Sequence, residues 1–313
     1  MNNSNFLIIK GGDSSEKDVS LKTAGCVEEA FCRLGLKYKV LTIGSAFDLV
    51  NLSLNDVDYI FNAMHGGDGE NGIVQGLLDM SGLPYNGAGR EASTICMSKI
   101  LTRYVASAHS VLIPKGVVST RGSNSYPDVK SFLGERLVLK PDCQGCSIGI
   151  SVVSDAAGFE RAVLDSGKYQ GKLLFEEFIC GSEITVAILD GKILPYLSII
   201  HSHEFFDFDA KFKSKDTRYE LAKNIPASTV GLIEGSIEKM SRALDLGRYA
   251  RFDFIVRDGV PYLLEINTLP GLNSKSVFVK ACLLSGIDYD EMIRRIIGNS
   301  DQLTCVEVVD ERR

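Results

Sequence analysis

Asp258 and Gly259 fall between two apolar runs, residues 252–256 and 262–266. An aspartate-glycine pair in that setting favours a tight turn, so the segment is predicted to fold as an antiparallel hairpin. Side chains alternate faces along a strand, so Glu265 and Asn267 share a side, and Asp253 on the paired strand can converge with them. Leu263, Leu264 and Ile266 around these acids argue for a buried strand. Two carboxylates and an amide oxygen on one face make a hard-oxygen site. Magnesium takes such ligands when phosphate oxygens complete its octahedron. A hydrated sheet face with ordinary acidic residues is the alternative.

The hairpin belongs to a chain of 313 residues, long enough for two or three α/β units that share interfaces. Near the N-terminus, residues 6–10, 39–43 and 57–61 read as strands. Val19, Cys26, Val27, Ala30, Phe31 and Leu34 recur near helical spacing, which predicts a small parallel sheet with crossover helices. One helix is expected over 91–108, ending ahead of Pro114. Shorter strands at 137–140, 150–153 and 172–177 then suggest a smaller α+β lobe. A third region holds strands at 184–189 and 193–199, a polar aromatic loop near 201–225 and a helix over 229–246. The expected fold class is α/β combined with α+β, divided as 1–98, 99–180 and 181–313.

A formal charge of −6 argues against a phosphate-backbone-binding surface, so no nucleic acid partner is expected. No apolar run approaches the roughly 18 to 20 residues that span a bilayer. The short run at 6–9 has no basic residues before it and reads as a strand, not a signal peptide. A cytoplasmic protein with no membrane partner is therefore expected. Cysteines at 26, 32, 96, 143, 146, 180, 282 and 305 are scattered, as reduced thiols are. Cys143 and Cys146 form a CxxC; zinc or redox use is the alternative to a loop that happens to carry two thiols.

Two further segments bear on chemistry. Residues 137–149, LVLKPDCQGCSIG, are a strand ending in Lys140 and then a glycine loop. Backbone amides in such a loop can close over phosphates while the lysine offers a point charge. The Walker order GxxxxGK[ST] is missing, and an ordinary hairpin is the alternative. Residues 172–183, KLLFEEFICGSE, are an apolar strand running into acids. Its backbone could read an adenine edge and Glu183 could take ribose hydroxyls; equally, it could be a strand ending at the surface.

In order along the chain stand GGDSSEKDVS at 11–20, HGGDGENG at 65–72, YNGAG at 85–89 with Ser98 and Lys99, KPDCQGCSIG at 140–149, EEFICGSE at 176–183, FFDFDAK at 205–211 and the segment 251–276 with RFDF and YLLEINTLPG. Together they resemble the D-alanine–D-alanine ligases from residue 11 to about residue 285. The resemblance implies an ATP-grasp fold with an N-terminal Rossmann-like α/β lobe. It implies ATP and two magnesium ions, with manganese as a substitute, and a homodimer. The substrates would be D-alanine and a second small D-amino or D-hydroxy acid. By this likeness Lys99 and Lys140 hold the phosphates, Glu176, Glu177, Phe178 and Ile179 line the adenine pocket, and Glu183 binds ribose. Phe205 and Lys211 on a closing loop complete the nucleotide site. Asp253, Glu265 and Asn267 hold the metal.

A carboxylate is a poor electrophile, so the family first phosphorylates it and lets an amine attack the acylphosphate. Arg251 would hold the oxyanion of the tetrahedral intermediate, or else form a salt bridge to Asp253 or Glu265. Glu16 would receive the first substrate's ammonium, or else cap a helix. His65 would lie near the first carboxylate, and Ser276 with Val277 would face the second, beside a close turn at Gly271. Ser147 keeps the second of two family serines and joins Glu16 and Arg251 as an expected catalytic residue.

Cys146 and Phe212 depart from the family's serine and tyrosine. Phenylalanine has no donor and a thiol is a weak one, so the hydrogen-bonded triad with Glu16 is not expected in its usual form. D-lactate as second substrate, another ATP-grasp dipeptide ligase and a nucleotide-binding regulatory paralogue are the alternatives. Asn71 and Lys275 are smaller departures, and Lys275 could add charge near the acceptor carboxylate.

Overall fold

The computed structural model describes residues 4–50, 52–120, 124–169, 171–200 and 218–298. Three sheets organise them. Strands β1 (Asn5–Gly11), β2 (Lys37–Ile43) and β3 (Tyr59–Asn62) form a parallel sheet in the order β2-β1-β3. The run from Phe6 to Ile9 is apolar without alternation because both faces of β1 are covered. Phe6 and Ile8 share a core with Val27 and Phe31 of the helix Lys17–Arg33, whereas Leu7 and Ile9 pack with Val74 and Leu78 of the helix Ile73–Ser81.

Strands β4 (Gly116–Ser119), β5 (Leu137–Pro141), β6 (Ser151–Val153) and β7 (Leu173–Glu177) form an antiparallel sheet in the order β4-β7-β5-β6. Leu137, Leu139 and Phe175 fill one face against the helices Tyr126–Leu133 and Ala156–Asp165. By the strand's period of two, Val138, Lys140 and Glu176 fall on the other face.

Strands β8 (Ser182–Leu189), β9 (Lys192–Ile193), β10 (Leu197–Ile200), β11 (Arg218–Leu221), β12 (Tyr249–Arg257) and β13 (Val260–Asn267) form the third sheet, in the order β11-β10-β8-β12-β13 with β9 beside β8. Phe252 and Phe254 join Ile233, Ile237 and Met240 of the helix Ala227–Leu244 in one core. Arg251 and Asp253 therefore project from the opposite face of β12. After the hairpin, the helices Val277–Leu284 and Tyr289–Ile297 return to the first sheet, with Phe278 and Ile293 in the core of Phe6 and Phe31.

Two expected elements are each split. The strand expected over 193–199 is β9 and β10, because Pro195 has no N–H for the ladder. The helix expected over 91–108 is two, Arg90–Met97 and Lys99–Ala108, broken at Ser98. Ser98 is extended, accepts from Leu101 N and donates to the Asp142 carboxylate at 2.9 Å. Among the described residues no helix is long and apolar enough to cross a membrane.

Candidate active site

The hairpin sets Asp253 opposite Glu265 and Arg251 opposite Asn267, with a register shift between Asp253 and Phe254. All four polar residues thus share a face: alternation pairs Arg251 with Asp253 and Glu265 with Asn267 along each strand, and the register shift brings the two pairs to the same side. Arg251 is buried and grips Asp253, Nε donating to Oδ1 at 2.9 Å and Nη2 to Oδ2 at 2.7 Å; Glu265 lies 3.6 Å away. Burial works against the guanidinium charge. The charge and hydrogen bonds of Asp253, with Glu265 behind, outweigh it and raise the Arg251 pKa, so the group stays cationic. The salt bridge weighed as an alternative for Arg251 is present. Thr185 Oγ1 donates to Asp253 at 2.6 Å, and Asn267 Oδ1 accepts from Leu269 N at 2.9 Å. In donor type and common facing, Asp253, Glu265 and Asn267 fit a magnesium ion.

Between the second and third sheets lies a cavity of about 520 Å³. Lys99, Lys140, Ser147, Glu176, Glu177, Phe178, Ile179, Glu183, Asp253 and Glu265 line it. Glu176 is buried in an ion cluster, with Arg103 Nη1 at 2.7 Å on one oxygen and Lys140 Nζ on the other. The helix break at Ser98 puts Lys99 on the first turn, where its Nζ donates to Gln144 O at 2.6 Å. Burial, assisted by Lys140, lowers the Lys99 pKa against the opposing pull of Glu265, Asp142 and Glu176. Farther along, Glu177 N–H donates to Lys115 O at 3.0 Å, and the Arg136 guanidinium lies 3.8 Å over the Phe178 ring.

A second cavity, of about 720 Å³, is lined by Glu16, His65, Cys146, Asn267, Gly271 and Ser276, with Lys22 and Lys275 also on its wall. Glu16 holds the N-cap position of the helix Lys17–Arg33 but makes no side-chain cap hydrogen bond. Its carboxylate instead accepts from Cys146 Sγ at 2.7 Å. That corrects one expectation: the thiol, though a weak donor, keeps its part of the triad. A Cβ on Gly145 would stand 2.6 Å from Glu16 Oε1, so this glycine lets the carboxylate reach the loop. Cys146 and Ser147 both hold left-handed backbone, with φ of 52° and 58°, and line the second and first cavities respectively. His65 is buried between Thr23 Oγ1 at 2.9 Å and Glu70 Oε1 at 3.1 Å. Ser276 Oγ donates to Gly271 O.

Lys99, Tyr219, Arg251, Glu265 and Val277 line both cavities, which therefore meet at a cationic centre flanked by acids. Such a junction suits transfer of a charged group between ligands held on either side. Phe205, Lys211 and Phe212 lie outside the described residues. The Cys143 thiol is pushed up to about 11 by burial, with Asp142 adding to the effect, so it is protonated near neutral pH. Arg103, Thr185, Gln144 and the Ser98–Asp142 contact were not legible beforehand, since each acts through a partner distant in sequence.

A family model described as D-ala D-ala ligase C-terminus matches residues 107–298, and one described as D-ala D-ala ligase N-terminus matches residues 48–88. A protein named D-alanine--D-alanine ligase from Syntrophotalea carbinolica is 35% identical over 298 residues, covering 94% of this chain and 95% of the relative. A crystal structure of D-alanine--D-alanine ligase from Bacillus anthracis superposes with a TM-score of 0.85 at 33% identity, covering 94% of this chain and 96% of that one. A structure of D-alanine--D-alanine ligase from the same organism complexed with ATP gives a TM-score of 0.83 at 31% identity, with the same coverage of both chains.

Proposed function

Because the chain belongs to the D-alanine–D-alanine ligase family, we propose that it is an ATP-dependent carbon-nitrogen ligase with the ATP-grasp fold, making D-alanyl-D-alanine for peptidoglycan precursors. The observation that carries this is the meeting of two cavities at Lys99, Arg251 and Glu265. ATP occupies the smaller cavity, its phosphates on Lys99 and Lys140, its base against residues 176–179 and its ribose at Glu183. Asp253, Glu265 and Asn267 would hold magnesium, or manganese in its place, which would supply positive charge to neutralise the phosphates. Three lobes, 1–98, 99–180 and 181–313, a homodimer and a cytoplasmic setting supplied with ATP belong to the same proposal.

In the larger cavity Glu16 takes the ammonium of the first D-alanine, and His65 stands by its carboxylate. That carboxylate accepts the γ-phosphoryl group, releasing ADP. The amine of the second D-alanine, its own carboxylate held at Ser276 and Val277 beside Gly271, then attacks the acyl carbon and phosphate leaves. Arg251, fixed as a cation by Asp253, faces the oxyanion that forms in this step. Ser147, with Lys99, keeps the loop turned to the phosphates.

Phe212 supports D-lactate as a second reading for the acceptor. Mass spectrometry of products formed from ATP, magnesium and D-alanine, with and without D-lactate or D-serine, separates the cases. D-alanyl-D-alanine with ADP and phosphate is expected. A dominant ester product moves the assignment to D-lactate, and tight ATP binding without any product moves it to a regulatory paralogue.

Two consequences follow for single residues. Cys146→Ser restores a stronger donor to Glu16 and is expected to leave kcat/KM for D-alanine equal or higher. Cys146→Ala loses a hydrogen bond to a charged group, worth about 1.5–3 kcal/mol, and should lower kcat/KM roughly tenfold or more. Equal kinetics for the alanine and serine variants would deny the contact a role. Lys99 loses proton affinity to burial in the unliganded protein, and phosphates favour its ammonium form. At pH values between the free and bound pKa of Lys99, ATP binding therefore takes up a proton, and affinity falls as pH rises through that window. Calorimetry in buffers of different ionisation enthalpy reads that uptake; proton release on binding would contradict it.

A further inference from the structure

Arg103 stands one helical turn after Lys99, and no local pattern in the sequence marks it. Its Nη1 lies 2.7 Å from Glu176 Oε1 while Lys140 holds Oε2, and the three side chains, from a helix and two strands, are 15%, 3% and 9% exposed. Room for the guanidinium comes from β4: a Cβ on Gly116 would stand 2.6 Å from Arg103 Nη2. Glu176 and Lys140 by themselves would form a closed pair, each cancelling the other's charge at low dielectric. With Arg103 on the same carboxylate, the cluster keeps a net positive charge beside the nucleotide cavity that Lys140 lines.

We infer that Arg103 is a positioning residue for ATP: it holds Glu176 so that Lys140 can turn from that carboxylate to the phosphates without leaving a bare buried anion. Such an anion is costly, so in the absence of Arg103 Lys140 stays with Glu176 and the phosphates lose a ligand. This rests on the assignment of the smaller cavity to ATP.

The test is a cycle of the full chain, Arg103→Met, Glu176→Gln and the double variant, with ATP affinity by calorimetry and KM for ATP, KM for D-alanine and kcat by turnover. Arg103→Met is expected to weaken ATP binding roughly tenfold or more, the scale of one charge-assisted hydrogen bond, with KM for D-alanine unchanged. In the Glu176→Gln background the same substitution is expected to cost less than about threefold, because no buried anion remains to hold Lys140. Arg103→Lys should recover most of the affinity. A loss below about threefold for Arg103→Met, or an equal loss in both backgrounds, overturns the inference, the latter showing a merely structural role. If Arg103→Met does not fold, Arg103→Gln takes its place in the cycle. Failure of the unmodified chain to bind ATP would remove the nucleotide assignment and this inference with it, whereas normal binding with an unaffected variant removes only the inference.

Discussion

Arg251→Met is expected to abolish useful ligase activity, with kcat down roughly 10³-fold, the cost of removing one donor aimed at a developing oxyanion. The residue is buried, bound through two nitrogens to Asp253 and 3.6 Å from Glu265, at the junction of both cavities. Methionine fills similar space without charge and leaves two carboxylates facing each other across the hairpin. Stability should therefore fall as well, by about 3–5 kcal/mol, the range found when one partner of a buried ion pair is deleted. Arg251→Lys separates the two effects. It returns a cation and most of the stability but not the planar fork, so kcat should stay well below that of the unmodified chain. Thermal melts and single-turnover kinetics on both variants decide the matter; activity within tenfold for Arg251→Met would show that the oxyanion is held elsewhere.

The hairpin carrying Arg251 is the part of the molecule most legible in the sequence. A turn pair and alternation are local signals: they give the antiparallel pairing and put Arg251 with Asp253, and Glu265 with Asn267, on one side of their own strands, while the register shift sets Asp253 across from Glu265. The register shift after Asp253 is not local, and nothing in the sequence predicts it. Ser98 shows the same limit. Apolar periodicity runs straight through it, yet the helix breaks because Asp142, 44 residues away, accepts its hydroxyl and caps the next turn through Ile100 N. For Glu16 the sequence leaves both a cap and a ligand open; the residue sits at the cap position without a side-chain cap hydrogen bond, and its carboxylate turns to Cys146, 130 residues on. Resemblance to a family supplied the candidates across such distances. Arg103 had no such marker, and only its contact with Glu176 reveals it.

Glu265→Gln is expected to have the next largest effect, because Glu265 is the carboxylate shared by the two cavities. Asp253 already accepts from Arg251 and Thr185, which fixes its oxygens within the hairpin. Glu265 meets Arg251 only at 3.6 Å and keeps 31% of its side chain exposed, so it is the acid better placed to hold a cation. Glutamine preserves its size and one oxygen but removes the charge that a hard divalent ion needs. The apparent affinity for magnesium should drop by more than tenfold and kcat by roughly 10³-fold, the several kcal/mol that a bound metal contributes to transition-state charge. Excess magnesium should recover part of the first loss and little of the second. Manganese binding followed by electron paramagnetic resonance, with ATP present, reads the site without turnover. If Glu265→Gln binds manganese as the unmodified chain does, the metal is held by other groups, and the face shared by Asp253, Glu265 and Asn267 serves only to orient Arg251.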